Sequence, residues 1–188
     1  KEVAGAKPLV VWKGGRTEAG AQAALSHTGS LASSAAIWSG MLRQVGAIEV
    51  NSLEELTDTL LVFQQLGYGK GTRAAIIGGL ADGGGGNSVA AGDACIDNGL
   101  NVPPLSFETK QHLSELLGEV GGILCNPVDV SQAQFRGLAT LFQAIDLVVK
   151  DATSDIVLIQ EDIEILLPIY SRKGLEEINE FIMELGRR

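Results

Sequence analysis

A chain of 188 residues, 45% of them apolar and 20% charged, can bury one sizeable core or two small ones, and it reads as globular rather than disordered. Its formal charge of -9 and its scattered lysines and arginines give no basic stretch for a phosphodiester backbone, so nucleic acid is excluded as an expected partner. The longest apolar runs, Ile156 to Ile159 and Ile163 to Tyr170, fall far short of the roughly 18 residues that cross a bilayer, so no membrane span is expected.

In chain order, Leu9-Val10-Val11-Trp12 is a short apolar run that predicts a buried strand, ending in Lys13-Gly14-Gly15. Arg16 to Ser30, rich in Gly, Ala, Ser and Thr, reads as a long mobile loop. Apolar residues at helical spacing predict a helix over Leu31 to Val45, with Gly46 as its stop. Ala47 to Val50 follows as a second strand. Ser52-Leu53-Glu54-Glu55 is a capping box opening a helix to about Gln65. Gly67 to Gly71 has the composition of a linker, which sets a domain boundary near residue 70.

Ala74 to Leu80 predicts a third buried strand, followed by the glycine run up to Gly86, by Asn87-Ser88 and by an Ala-rich helix, Val89 to Asn98, with Gly99 as C-cap. Ser106 caps a helix to about Leu117, Gly121 to Cys125 predicts a strand, Phe135 to Val149 a helix, Asp155 to Gln160 a strand and Gly174 to Leu185 a last helix. Alternating strands and helices of these lengths imply an α/β fold with a parallel sheet. Cys95 and Cys125, without a signal-peptide pattern, fit a reducing compartment, and the cytoplasm is the expected location. A chain that opens at Lys1 rather than Met is expected to be a fragment.

Three places could carry chemistry. His27 lies among small residues, where an imidazole moves with little steric resistance and is a competent nucleophile near neutral pH; the alternative is an ordinary exposed loop residue. The backbone amides of Gly85, Gly86, Asn87 and Ser88 point out of a helix start, where the helix dipole favours an anion; the alternative is a flexible turn. A Walker A loop is excluded because no Gly-Lys-Ser or Gly-Lys-Thr follows. Asn126-Pro127-Val128-Asp129 follows a strand and so falls at the carboxyl edge of the sheet, where α/β proteins place ligands; an Asx-Pro turn is the alternative. His112 sits on a surface helix and receives no role. No metal-ligand cluster appears.

The segment from Lys7 through Lys13-Gly14-Gly15-Arg16 to Gly20, running on to Ser26-His27-Thr28-Gly29-Ser30-Leu31-Ala32, resembles the phosphohistidine region of NDP-forming (ADP-forming) acyl-CoA synthetases, the succinyl-CoA-ligase-like family. The glycine loop and helix after Ala74, the Asn98-Gly99-Leu100 turn and Asn126-Pro127-Val128-Asp129 resemble the next domain of the same enzymes, in the same order. One departure is Gly79-Leu80-Ala81-Asp82-Gly83-Gly84-Gly85-Gly86, where members show Thr-Asn-Ala-Gly-Gly-Pro-Gly.

This resemblance implies a flavodoxin-like parallel sheet with helices on both faces. Residues 1–67 would be the C-terminal half of the phosphohistidine domain and 68–188 a second flavodoxin-like CoA-ligase domain, truncated at its C-terminus. It implies that His27 carries the phosphoryl group, that Gly85 to Ser88 hold phosphate, and that Thr28, Gly29, Asn126 and Asp129 give support. Coenzyme A, ATP/ADP and Mg would be substrates of the parent enzyme, with none tightly bound to this piece. The partners would be a CoA-binding Rossmann domain and an ATP-grasp domain of the same enzyme, in a homo-oligomer. Residues 8–66 are further expected to complete the sheet of residues 73–188, in circularly permuted or swapped fashion. A non-catalytic module binding an anion or nucleotide through Gly85 to Ser88 is the reading from another class.

Overall fold

The computed structural model describes residues 2–28, 34–67, 69, 71–80, 85–118 and 124–187. The chain divides into two compact units, Lys1–Gly69 and Lys70–Arg188.

The first unit runs α1 (Glu2–Ala6), β1 (Val10–Trp12), α2 (Glu18–Thr28), α3 (Ala35–Val45), β2 (Ile48–Val50) and α4 (Leu53–Leu66). β1 and β2 pair in parallel, with Val10 opposite Ile48 and Trp12 opposite Val50, so both strands end at one edge. Gly46, at φ 76°, ends α3, and its N–H and that of Ala47 return to the last carbonyls of the helix. The capping box is present: Ser52 Oγ accepts from Glu55 N at 3.1 Å, while Glu55 Oε2 reaches back to Asn51 N at 2.7 Å.

In the second unit β3 (Ala74–Gly78) is the middle strand of a parallel sheet ordered β4-β3-β5, with β4 at Val128–Asp129 and β5 at Ile156–Ile159. Its helices are α5 (Gly85–Asp97), α6 (Phe107–Leu117), α7 (Ser131–Gln134), α8 (Leu138–Val149), α9 (Ile163–Ile169) and α10 (Arg172–Leu185). Strand alternation turns Ala75 and Ile77 toward Leu113, Leu117, Leu141, Ile145 and Val148 of α6 and α8, and Ala74 and Ile76 toward Cys95 of α5. A five-residue apolar strand covered on both faces explains why β3 is buried throughout. This is the flavodoxin-like parallel α/β arrangement that the resemblance implies.

Three expectations are corrected, and a fourth finds no support among the described residues. Glu18 to Thr28 is not a loop: α2 fills that stretch, because Thr17 caps it and alanine-rich sequence favours helix. The strand expected at Gly121 to Cys125 falls partly outside the described residues, and the observed one is Val128–Asp129, paired with Ile77 and Gly78. The helix expected from Phe135 starts at Leu138, since Gly137 at φ 94° breaks the backbone and leaves Phe135 exposed. Last, β1 bonds to β2, and the two sheets share no strand among the described residues. The expectation that residues 8–66 complete the sheet of residues 73–188 thus finds no supporting strand pairing among the described residues.

Three further helices among the described residues, α1, α7 and α9, had no counterpart in the pattern. α9 is capped by Asp162, whose Oδ1 accepts from Glu164 N at 2.9 Å, and Pro168 lies in its last turn. Cys95 is buried and Cys125 exposed, and both are free thiols. Among the described residues no helix is long and apolar enough to cross a membrane.

Candidate functional site

The candidate residues fall into two groups, one in each unit. In the first unit α2 springs from the carboxyl end of β1 by way of Lys13-Gly14-Gly15-Arg16-Thr17. Thr17 Oγ1 accepts from Gly20 N at 3.1 Å and Thr17 O from Ala21 N at 2.8 Å, which fixes the helix start. Gly15 at φ 71° and Gly20 meet so closely that a Cβ on Gly20 would lie 3.3 Å from Gly15 Cα. The helix then carries His27 to its last turn, where the residue is exposed. A helix of 11 residues rises about 16 Å, so the imidazole stands well away from the turn that anchors it. Thr28 closes α2, and Gly29 lies outside the described residues.

Around the anchoring turn, Arg16 donates to Asn51 Oδ1 and, at 3.1 Å, to Asn51 O, tying the ends of β1 and β2 together. Lys13 Nζ donates to Gly14 O at 3.1 Å and stands 5.8 Å from the centre of the Trp38 ring. The Trp38 indole Nε1 is buried and has no acceptor.

In the second unit Gly79, at φ 82°, takes the chain off the end of β3. α5 begins at Gly85, so Gly85, Gly86, Asn87 and Ser88 form its first turn, whose N–H groups have no acceptor within the helix. Gly86 and Asn87 are exposed, whereas Ser88 is 4% exposed and its Oγ has no hydrogen-bond partner. Gly83 and Gly84 of the glycine run lie outside the described residues. Asp129, opposite Gly78, accepts from Ser131 N at 2.8 Å, an Asx turn that opens α7.

Asn126 has a different job. Its Oδ1 accepts from Ile76 N at 2.9 Å, and its Nδ2 donates to Ala74 O at 2.7 Å and Pro103 O at 2.8 Å. The side chain thus stands in for a strand beside the first half of β3, and both amide hydrogens are committed.

Sequence pattern also left several polar groups unremarked. Asp151 is buried, yet hydrogen bonds from Thr109, Thr153 and Ser106 outweigh the upward push of burial and hold its carboxyl well below the usual range. Asp155 drops to about 2, chiefly through the hydrogen bond from Arg73, whose guanidinium grips both carboxylate oxygens at 2.9 and 2.5 Å. Tyr170 donates to Leu80 O at 2.7 Å, and burial followed by the Glu161 charge pushes its phenol up. His112 lines an open groove of about 530 Å³ between α6 and α8, with Glu115 and Asp146 on its rim.

Residues 1–63 match the family model described as "Succinyl-CoA ligase like flavodoxin domain". The chain is 42% identical over 130 residues to an ADP-forming acetate–CoA ligase I of Archaeoglobus fulgidus, covering 69% of this chain and 18% of that protein. It is 32% identical over 158 residues to the alpha subunit of ADP-forming acetate–CoA ligase II of Pyrococcus furiosus, covering 84% of this chain and 33% of that one. Among solved structures, acetyl-coenzyme A synthetase 1 of Ca. Korarchaeum cryptofilum, described as dinucleotide forming and determined with phosphate and ADP, superposes with a TM-score of 0.72 at 27% identity over 96% of this chain and 37% of that one. The chain therefore spans only 18% and 33% of the lengths of these two curated relatives. By sequence and by fold, the chain is related to one segment of the ADP-forming acyl-CoA synthetases.

Proposed function

We propose that the chain is part of an NDP-forming acyl-CoA synthetase, which joins a carboxylic acid to coenzyme A with interconversion of ATP and ADP. His27 is the phosphoryl carrier. In the ATP-forming direction a ring nitrogen of His27 attacks the phosphorus of an acyl phosphate, the bond from phosphorus to the acyl oxygen breaks, and the free acid leaves. An oxygen of ADP then takes the phosphoryl group as the phosphorus–nitrogen bond breaks. The amides of Gly85, Gly86, Asn87 and Ser88 hold the phosphate while it is in transit, aided by the positive end of the α5 dipole. Thr28, Gly29 and Asp129 support the two ends, while Asn126 acts through the sheet.

The observation that carries this reading is the location of His27 within the segment matched to the succinyl-CoA ligase like domain, at an exposed helix end. In this reading residues 1–67 are the C-terminal half of the phosphohistidine domain and 68–188 a second flavodoxin-like domain. A CoA-binding Rossmann domain and an ATP-grasp domain complete the enzyme, a cytoplasmic homo-oligomer. In this reading magnesium accompanies the nucleotide.

The test is phosphate incorporation. Full-length protein given labelled ATP and magnesium should acquire an acid-labile, base-stable label on the peptide containing His27, which chases onto ADP and is lost in His27→Ala. A folded, ATP-binding protein that takes up no label would overturn the carrier role and leave a non-catalytic anion-binding module at Gly85 to Ser88.

A further inference from the structure

The anchoring turn of α2 carries two cations that the phosphohistidine reading does not use. In a chain of net charge -9, none of the ion pairs among the described residues involves Lys13 or Arg16. Each instead donates to neutral oxygens, Lys13 to Gly14 O and Arg16 to Asn51, and those bonds leave further donors on both side chains uncommitted. The same network includes the carboxylate of Glu55, which accepts from the Asn51 amide at 2.7 Å.

Beside Lys13 lies a third donor. The indole Nε1 of Trp38 is buried without an acceptor, although a buried tryptophan N–H normally finds one and leaving it unmet is costly. Lys13 over the ring face keeps its ammonium close to this orphaned donor. Lys13 directly follows the end of β1, Arg16 bonds to Asn51 directly past the end of β2, and the Trp38 ring lies beside Lys13, so the donors border the edge of a parallel sheet at which α/β folds seat ligands.

We infer that Lys13, Arg16 and the Trp38 indole N–H form an oxyanion-binding corner that takes a phosphate group, free or borne by a ligand. The ammonium supplies a point charge and the guanidinium a planar fork, held in place by its two bonds to Asn51. The bound oxygen gives the indole the acceptor it lacks. The corner does not depend on His27 being phosphorylated.

The test uses the full chain labelled with nitrogen-15 and follows the two tryptophan indole signals during titration with inorganic phosphate and, separately, with ADP. The Trp38 signal should shift saturably while that of exposed Trp12 stays put, and the tighter of the two titrants identifies the source of the phosphate. Lys13→Met with Arg16→Gln should weaken binding by about tenfold or more, whereas the charge-keeping Lys13→Arg and the unrelated His27→Ala should both retain it. An equal shift with chloride at matched ionic strength, retention in the folded double variant, or no Trp38 shift up to roughly 50 mM of either titrant would overturn the inference.

Discussion

The two units are built from the same parts, parallel strands joined by helices, yet they bury very different amounts of themselves. In the second unit β3 is covered by α5 on one face and by α6 and α8 on the other, and all five of its residues are buried. In the first unit β1 has no fully buried residue, and Leu42 and Val50 are the only buried apolar residues among those described. Its helix α4 has no buried residue either, and exposes Leu53, Leu60, Leu61, Val62 and Leu66 around most of its circumference. A helix that leaves this many large apolar side chains exposed is the kind that other layers normally cover. A two-stranded sheet is likewise marginal without further strands. The difference shows that one α/β grammar yields a self-sufficient core only when both faces of a central strand are covered.

The comparison can be broken by substitutions that act on one unit and spare the other. The largest effect is expected from Ile77→Ala, which empties the centre of β3 and should cost about 2–5 kcal/mol in chemical denaturation, confined to the transition of the second unit. Leu42→Ala should do less, because among the described residues of its unit Val50 is the only other buried apolar one; an equal loss would mean that the first unit has a tighter core than its burial implies. Next comes Asn126→Ala, which strips partners from Ile76 N, Ala74 O and Pro103 O and should cost on the order of 3 kcal/mol.

Asp151→Asn should cost about 1–3 kcal/mol at neutral pH, since a buried ionised acceptor is replaced by a neutral amide. The sign of its pH dependence follows from a folded-state carboxyl held below the usual range. That stabilisation is complete above the unfolded value near 4 and fades as pH falls below it, so the wild-type chain should lose stability in acid more steeply than the variant. Parallel acid profiles would remove Asp151 from the account. The smallest effect belongs to the first unit: Ser52→Ala removes the cap of α4 and should cost about 1 kcal/mol, read as lost helical signal on mild heating.

Much of this architecture was legible in the sequence because the signals were local. The apolar run at Ala74, the Ser52 capping box, the Ser106 cap and Gly46 each act within a few residues, and the corresponding elements sit where the pattern put them. The misreadings came where local composition pointed one way and a single residue decided otherwise. Small residues after Arg16 suggested a loop, but Thr17 and Glu18 are start signals, and alanine then carries the helix. The candidate residues were read from the sequence as a histidine, a helix start and a polar turn, and they lie at the end of α2, in the first turn of α5 and at the start of α7. What chain order could not reveal was that Asn126 spends its amide inside the sheet, or that Trp38, 25 positions after Lys13, would bring an orphaned donor beside it.

The side chain of Asn126 also blurs the boundary between a strand and a substituent. Because it bonds to both Ala74 O and Ile76 N, part of the first half of β3 is closed by a side-chain amide rather than by a neighbouring strand. Solvent should treat that stretch as interior, so the Ile76 amide should exchange its hydrogen as slowly as one in a full ladder. The lock is also chemical: deamidation of this one residue would swap a donor for a repelling oxygen, giving the ageing protein a fault line in the middle of its most protected strand.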